Sequence, residues 1–433
     1  MLESLTRGGV ATVLFTEPPD AEVLSRYPHV RAIGVAGISR TMSPQAMDAQ
    51  LPVAFEALRG LEPDFMHYKV CSTFDSSPTI GSIGRAIDIG HRVFENRFVP
   101  LVVGAPALER FCVFGNLFAR SGLDSDVYRL DRHPTMSKHP VTPMNEADLR
   151  VHLSHQTERP MELVDVVALE RAPDEALARA TRSDGSVVLF DVLTEGHLAT
   201  IGRLMCEEQA REGRPLFVAG SSGVENALVQ HWTATGRVTQ STVGTQACGP
   251  VDQAFAVSGS CSPVTERQIA WALAHGFAEV PLDTVRLLQS TSLDAEITSI
   301  AQRAASELAS GRSVIVHTSR GPEDDRIVAT RQLAAGGLTA ERLGGILGRI
   351  LGGVLRLRRV ERVAVTGGDT SGYVARAAGI ESLEMAGPLA PGAPLRIARS
   401  RHADINGVQF TFKGGQVGHD DFFGALVVGR VDR

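Results

Sequence analysis

The segment His67-Tyr-Lys-Val-Cys-Ser-Thr73 closes an apolar run with an ammonium, a thiol and two hydroxyls, and Asp75 follows one turn later. Together they suit a small, hydroxylated anion. Lys69 offers a point charge, while Arg40 and Arg110, each next to another strand-like run, offer forks that match a carboxylate. Ser72 and Thr73 can hydrogen-bond sugar hydroxyls. A lysine inside an apolar strand attracts notice because burying an unpaired ammonium is costly. Strand alternation puts Lys69 and Cys71 on one face. Cys71 reads as pocket lining, since no histidine is paired with it to make a nucleophile. His67 shares that face and reads as structural. His133 and His139 lie in the proline-rich stretch 131–145, read as a solvated loop that can reach a substrate.

A second set of residues suits phosphate. Thr366-Gly-Gly-Asp-Thr370 follows the apolar run Val363 to Val365 and precedes a helix that stops at Gly379. A strand, a glycine turn and a helix N-terminus gather free N–H groups where no side chain intrudes. Asp369 or Thr370 is expected to cap that helix, and Asp369 is the candidate to hold Mg²⁺. Ser258-Gly-Ser-Cys-Ser262 and Lys413-Gly-Gly-Gln-Val-Gly418 also follow strand-like runs. The nucleotide-binding candidates are therefore Ser258, Ser260, Ser262, Gly367, Gly368, Asp369, Thr370, Lys413, Gly414, Gly415 and Gly418. Neither glycine turn is a Walker P-loop, because G-x-x-x-x-G-K-[ST] is absent. Nor does any strand lead into G-x-G-x-x-G, which disfavours a nicotinamide-dependent oxidoreductase.

Elements that can position these turns recur through the chain. Strand-like runs at Ala11 to Phe15, Val30 to Val35, His67 to Thr73, Phe98 to Val103, Leu163 to Ala168, Ser186 to Asp191 and Pro215 to Gly220 alternate with helical stretches. The pattern resumes at Ala254 to Val257, Ser313 to Thr318, Val360 to Val365 and Val408 to Phe412. This rhythm predicts an α/β protein with mainly parallel sheets flanked by helices. At 433 residues two domains are expected, 1–240 for the acid and 250–433 for the nucleotide, with the active site between them. Met1 to Gly9 reads as the tail of a helix. A strand upstream of Met1 is expected, leaving Ala11 to Phe15 at an unpaired edge.

Composition excludes several classes. A net charge of −6 gives no electrostatic footprint for nucleic acid, and no apolar run is long enough to span a membrane. Five scattered cysteines with no C-x-x-C pair read as reduced thiols of a cytoplasmic protein. A homo-oligomer is compatible with the sequence and not demanded by it.

These segments resemble the four-carbon acid sugar kinase family. Lys69-Val-Cys-Ser-Thr73 is similar to its K-x-D-S-T, and Val218-Ala-Gly-Ser-Ser-Gly223 to its G-S-S-G. Ser258 to Thr265 with Gln268 resembles G-S-C-S-P-x-T-x-x-Q, and Thr366 to Thr370 resembles T-G-G-D-T. Pro391-Gly-Ala-Pro394 and Lys413 to Gly418 resemble P-G-x-P and K-S-G-G-F-G. The resemblance implies an ATP- and Mg²⁺-dependent kinase of a small sugar acid, with a sugar-acid domain followed by a nucleotide domain. Three departures stand out. The family's opening D-D-x-T-G-A, which supplies the general base, is absent; it would lie upstream of Met1, and Asp75 is the first place to look within the chain. A catalytically impaired binding protein is therefore one alternative. Cys71 replaces the family's Asp, and Phe74-Asp-Ser-Ser-Pro78 its L-R-G-N. Gln416 replaces a glycine. The second departure resembles a branch acting on 3-oxo-isoapionate, with threonate or erythronate as the alternative substrates.

Overall fold

The computed structural model describes residues 2–121, 126–139, 141–239, 241, 246–333, 339–368 and 370–429. In chain order the strands begin with β1 (Thr12–Phe15), β2 (Ala32–Val35), β3 (Phe65–Lys69), β4 (Phe98–Val102), β5 (Arg110–Val113) and β6 (Asn116–Arg120). Next come β7 (Val127–Arg129), β8 (Met161–Val164), β9 (Ser186–Phe190), β10 (Leu216–Gly220), β11 (Ala254–Ser258) and β12 (Ala278–Pro281). The last are β13 (Val314–His317), β14 (Arg362–Thr366), β15 (Ser382–Ala390), β16 (Ala393–Arg399) and β17 (Gln409–Lys413). Two compact units result. The first comprises Met1–Val10, Pro18–His29 and Ile38–Ser241; the second comprises Ala11–Glu17, Val30–Gly37 and Thr242–Arg433.

In the first unit five parallel strands run in the order β3-β10-β4-β9-β8. β4, β9 and β10 are buried at every position, as continuous apolar runs are when helices cover both faces. Phe55 of the helix Pro44–Arg59 and Phe94 of the helix Ile83–Phe94 pack on Phe217, their ring centroids each 5.6 Å from it. Pro100 sits inside β4, and the β4–β10 ladder is confined to Leu101 and Val102 just past it, because proline has no N–H to give.

A separate antiparallel sheet, β5-β6-β7, was not legible in the sequence. Its first turn places Phe114 and Gly115 at φ +50° and +81°, a conformation phenylalanine seldom adopts. The buried carboxylate of Asp191 holds it by accepting from the amides of Phe114 (2.5 Å) and Gly115 (2.9 Å). The stretch 131–145 is anchored and not wholly solvated. His133 is buried and its Nδ1 accepts from the amides of Thr135 and Met136, while Met136 and Met144 join the core. Val166 is not part of a strand: β8 ends at Val164, and Asp165 caps the helix Val166–Arg171 by accepting from the Ala168 amide at 2.8 Å.

The second unit contains a nine-stranded sheet in the order β12-β13-β11-β14-β17-β16-β15-β1-β2. The first five are mutually parallel; β16 runs antiparallel to both β17 and β15. Two sequence expectations are corrected here. β1 and β2, read as opening the first domain, pair in this sheet. β1 is also not an unpaired edge, since it lies antiparallel to β15 and parallel to β2, with Val13 and Phe15 buried. The hairpin β15–β16 was likewise missed. Its Pro391-Gly392 turn has Gly392 at φ +80°, where the absence of a Cβ is required. Among the described residues no helix is long and apolar enough to cross a membrane.

Candidate functional site

In the second unit the carboxyl ends of β11, β14 and β17 stand side by side, and backbone hydrogen bonds stitch their turns together. The Gly259 amide donates to the Thr366 carbonyl (2.8 Å) and the Gly367 amide to the Lys413 carbonyl (3.0 Å). Ser262 caps the helix Pro263–Ala274, its Oγ accepting from the Thr265 amide at 3.1 Å, and the same hydroxyl donates to the Gly415 carbonyl. Thr265 Oγ1 also donates to that carbonyl (3.1 Å), and Ser260 Oγ lies 2.9 Å from Thr265 Oγ1. Gly415 is seated on the serine turn so closely that a Cβ would come 2.8 Å from Ser260 Oγ. Gln268 Nε2 fixes the far end of the β17 turn by donating to the carbonyls of Val417 and His419.

The two glycines of the β14 turn differ. Gly367 has φ +129°, and a Cβ there would lie 2.4 Å from Thr370 Oγ1; around Gly368 nothing lies within 4 Å of such an atom. The first glycine is needed by the backbone, whereas the second leaves open space beside amides, where an anion fits. Thr370 does not cap the following helix Ser371–Ala378. Its hydroxyl donates instead to the Gly367 carbonyl at 3.4 Å. Asp369 lies outside the described residues. Gln416, the departure from the family pattern, is exposed and does not fill the turn.

Lys413 ends β17 with its side chain 1% exposed. Nζ donates to Thr265 Oγ1 (3.3 Å) and the Gly414 carbonyl (3.2 Å), and stands 5.4 Å from the centroid of the Phe422 ring. It makes no ion pair among the described residues, and burial pushes its pKa down to about 8. A buried ammonium beside three such turns, with no carboxylate paired to it among the described residues, is a candidate to receive an anion. Thr366 Oγ1, buried in the same corner, also has no hydrogen-bond partner among the described residues.

In the first unit the residues after β3 form a smaller constellation. Arg40 Nη2 pairs with Asp75 Oδ2 at 2.5 Å. Thr73 Oγ1 donates to Asp75 Oδ1 at 2.8 Å and lies 3.0 Å from Cys71 Sγ. Arg110 is half-buried; its Nη1 donates to the carbonyls of Leu108 (3.0 Å) and Glu109 (3.2 Å). Lys69 is not in the middle of its strand: it is the last residue of β3, at the sheet edge, and exposed, so water solvates its ammonium. Ser72 is half-buried. His67 is structural, with Nδ1 2.5 Å from Glu225 Oε1 and Nε2 2.9 Å from the Gly220 carbonyl.

Sequence reasoning missed one network at the end of β13. Buried His317 places Nε2 2.8 Å from Glu279 Oε1, and Glu279 also takes the Arg320 guanidinium. Ser319 Oγ donates to the Ser260 carbonyl (3.3 Å) and the Thr318 amide to the Ser258 carbonyl (2.9 Å). A histidine closing the run Val314-Ile-Val316 was the only signal, and its partner Glu279 lies 38 residues away in sequence, where no local pattern links the two.

Family models match both parts of the chain, a sugar-binding N-terminal domain over residues 1–228 and a nucleotide-binding C-terminal domain over residues 255–423. Fold and family models thus define a two-domain α/β protein with a sugar-binding and a nucleotide-binding domain. The chain belongs to the four-carbon acid sugar kinase family, and it is a sugar-acid kinase. It is 47% identical to a 3-oxo-isoapionate kinase of Paraburkholderia graminis, over 99% of this chain and 92% of that one. It is 31% identical to a 3-oxo-tetronate kinase of Methylobacterium radiotolerans, over 98% and 94% of the two chains. Among solved structures, a Salmonella typhimurium protein described as a putative tRNA synthase shares the fold at TM-score 0.75 and 23% identity, covering 98% of this chain and 94% of that one. A Haemophilus influenzae protein does so at TM-score 0.69 and 21% identity, covering 98% and 95%.

Proposed function

We propose that the protein transfers the γ-phosphoryl group of ATP to a hydroxyl of 3-oxo-isoapionate, the substrate named for the 47% identical relative. The observation that carries the donor half is buried Lys413 among the turns of β11, β14 and β17, an ammonium with no ion pair among the described residues, together with the open space at Gly368. The acceptor's carboxylate and hydroxyls are assigned to Arg40, Lys69, Ser72, Thr73 and Arg110 in the first unit. Phosphoryl transfer calls for positioning and charge neutralisation more than for covalent chemistry, and these groups supply both. Among the described residues no cluster of three or more His, Cys, Asp or Glu side chains forms a cage for a metal. That fits Mg²⁺ carried on the nucleotide's phosphates, which needs only one or two protein oxygens. Ser258, Ser260, Ser262 and Thr370 bring hard oxygen donors to this corner, and Asp369 is the proposed carboxylate. The metal would neutralise the β- and γ-phosphate oxygens.

The 3-oxo-tetronate reading follows from the more distant relatives. Comparing ADP release on 3-oxo-isoapionate and 3-oxo-tetronate decides between the two acids. Preferred turnover on 3-oxo-isoapionate is expected. Preference for 3-oxo-tetronate would overturn the substrate assignment, and no ADP with either acid the kinase reading in this form.

A further inference from the structure

Three cations were assigned to the acid, and the structure separates them by what already neutralises each. Arg40 is held by the fully buried carboxylate of Asp75. Lys69 is exposed, and water screens it. Arg110 is neither paired nor fully solvated. It makes no ion pair among the described residues, its Nε is buried without a hydrogen-bond partner, and only Nη1 is engaged, by two backbone carbonyls. Those carbonyls belong to a turn whose geometry is costly: Glu109 stands at φ +54°, and Ala105 and Arg110 bridge across its base. The turn therefore holds the guanidinium by Nη1 alone. Burial disfavours the Arg110 charge; of the neighbours close enough to act on it, Cys71 favours it only as a thiolate, and the Glu109 carboxylate is paired with Arg120. His133, facing it from the stretch 131–145, is held neutral by burial and adds no negative charge.

We infer that Arg110 is the carboxylate clamp of the acid site, and that an uncharged side chain at position 71 sets acid affinity by leaving the guanidinium unneutralised. The inference rests on the reading of the first unit as the acid site. A half-buried guanidinium without a counter-ion gains most from an incoming carboxylate, because its desolvation has already occurred in the empty protein. Arg40, bound to Asp75, instead orients that carboxylate and, through it, the Thr73 hydroxyl, which is a positioning role.

The test is calorimetric binding of 3-oxo-isoapionate and, separately, of ATP to the full chain. Arg110→Ala is expected to weaken the acid about 10- to 100-fold, the range for a hydrogen bond between charged groups, with Arg110→Lys recovering part of the loss. Cys71→Asn and Cys71→Asp add nearly the same volume and differ in charge. The Asp variant is expected to bind the acid about 10-fold more weakly than the Asn variant, because its carboxylate occupies Arg110. ATP binding by each variant reports that the fold is intact. Equal acid affinity for the Asn and Asp variants, or wild-type affinity in Arg110→Ala, overturns the inference while leaving the kinase reading standing. A wild-type chain that binds ATP but not the acid overturns the acid-site reading and the inference with it.

Discussion

Replacing Lys413 by Met is expected to make the empty protein more stable and the nucleotide complex weaker. In the folded chain burial brings the ammonium from the ordinary lysine value of 10.5 to about 8. At about 1.4 kcal/mol per pH unit that gap corresponds to roughly 3 kcal/mol of folding free energy opposing the charged form. Met removes this penalty and also the two long hydrogen bonds to Thr265 and Gly414, worth about 1 kcal/mol together or somewhat more. Thr265 keeps its bond to the Gly415 carbonyl, so the turns stay joined. The net gain is about 1–2 kcal/mol, a rise in Tm of roughly 2–6 °C for a unit of this size. ATP affinity at pH 7 should fall about 10- to 100-fold, as a charge-assisted bond to phosphate is lost.

The sign with pH follows from the protons held. Between about 8 and 10.5 the unfolded chain keeps the proton that the folded chain has released, so wild-type stability rises with pH through that window. ATP affinity moves oppositely, falling toward tenfold per pH unit above about 8, because the phosphates require the ammonium. The variant should show neither dependence. Thermal melts and ATP titrations at pH 7, 8 and 9.5 provide the assay. A variant that melts lower than wild type and binds ATP equally well, with the same pH profile, would refute the reasoning.

Gly368→Val is expected to abolish ATP binding on a protein that still folds, since its side chain enters open space, whereas Gly367→Val should destabilise the unit itself by clashing with Thr370 at φ +129°. Melting curves with ATP titrations separate the two, and ATP binding retained by Gly368→Val would show that the phosphates sit elsewhere. His152 lies half-buried beside Ser76 and Gln156, with desolvation bringing its pKa from 6.5 to about 4. The unfolded chain therefore holds more protons between those values, and stability should fall by up to about 3 kcal/mol as pH drops from 6.5 to 4. His152→Gln should flatten that slope in acid denaturation, and an unchanged slope would assign it to other groups.

Local chemistry made much of this molecule legible in its sequence. The runs Phe98–Val102, Ser186–Phe190 and Ala254–Ser258 are buried throughout and apolar but for a terminal serine in two of them, because both faces of a parallel strand are covered, so composition marks them. The turns at Ser258, Gly367 and Lys413 were legible too, because a glycine or hydroxyl directly after such a run has few structural uses other than a turn or an anion site. Tertiary structure decided what depends on distant partners. β1 and β2 carry short apolar runs that fit either sheet, and only the ladder to β15 places them. The Phe114 turn contradicts local preference and stands because Asp191, far away in sequence, accepts its amides. The candidate cations show the same limit. Arg40, Lys69, Arg110 and Lys413 look alike as letters, yet one is paired, one solvated, one half-buried with no ion pair among the described residues, and one sealed beneath three turns. A side chain's charge is set by its type, but what that charge can do depends on desolvation and counter-ions, which arise only when the chain folds.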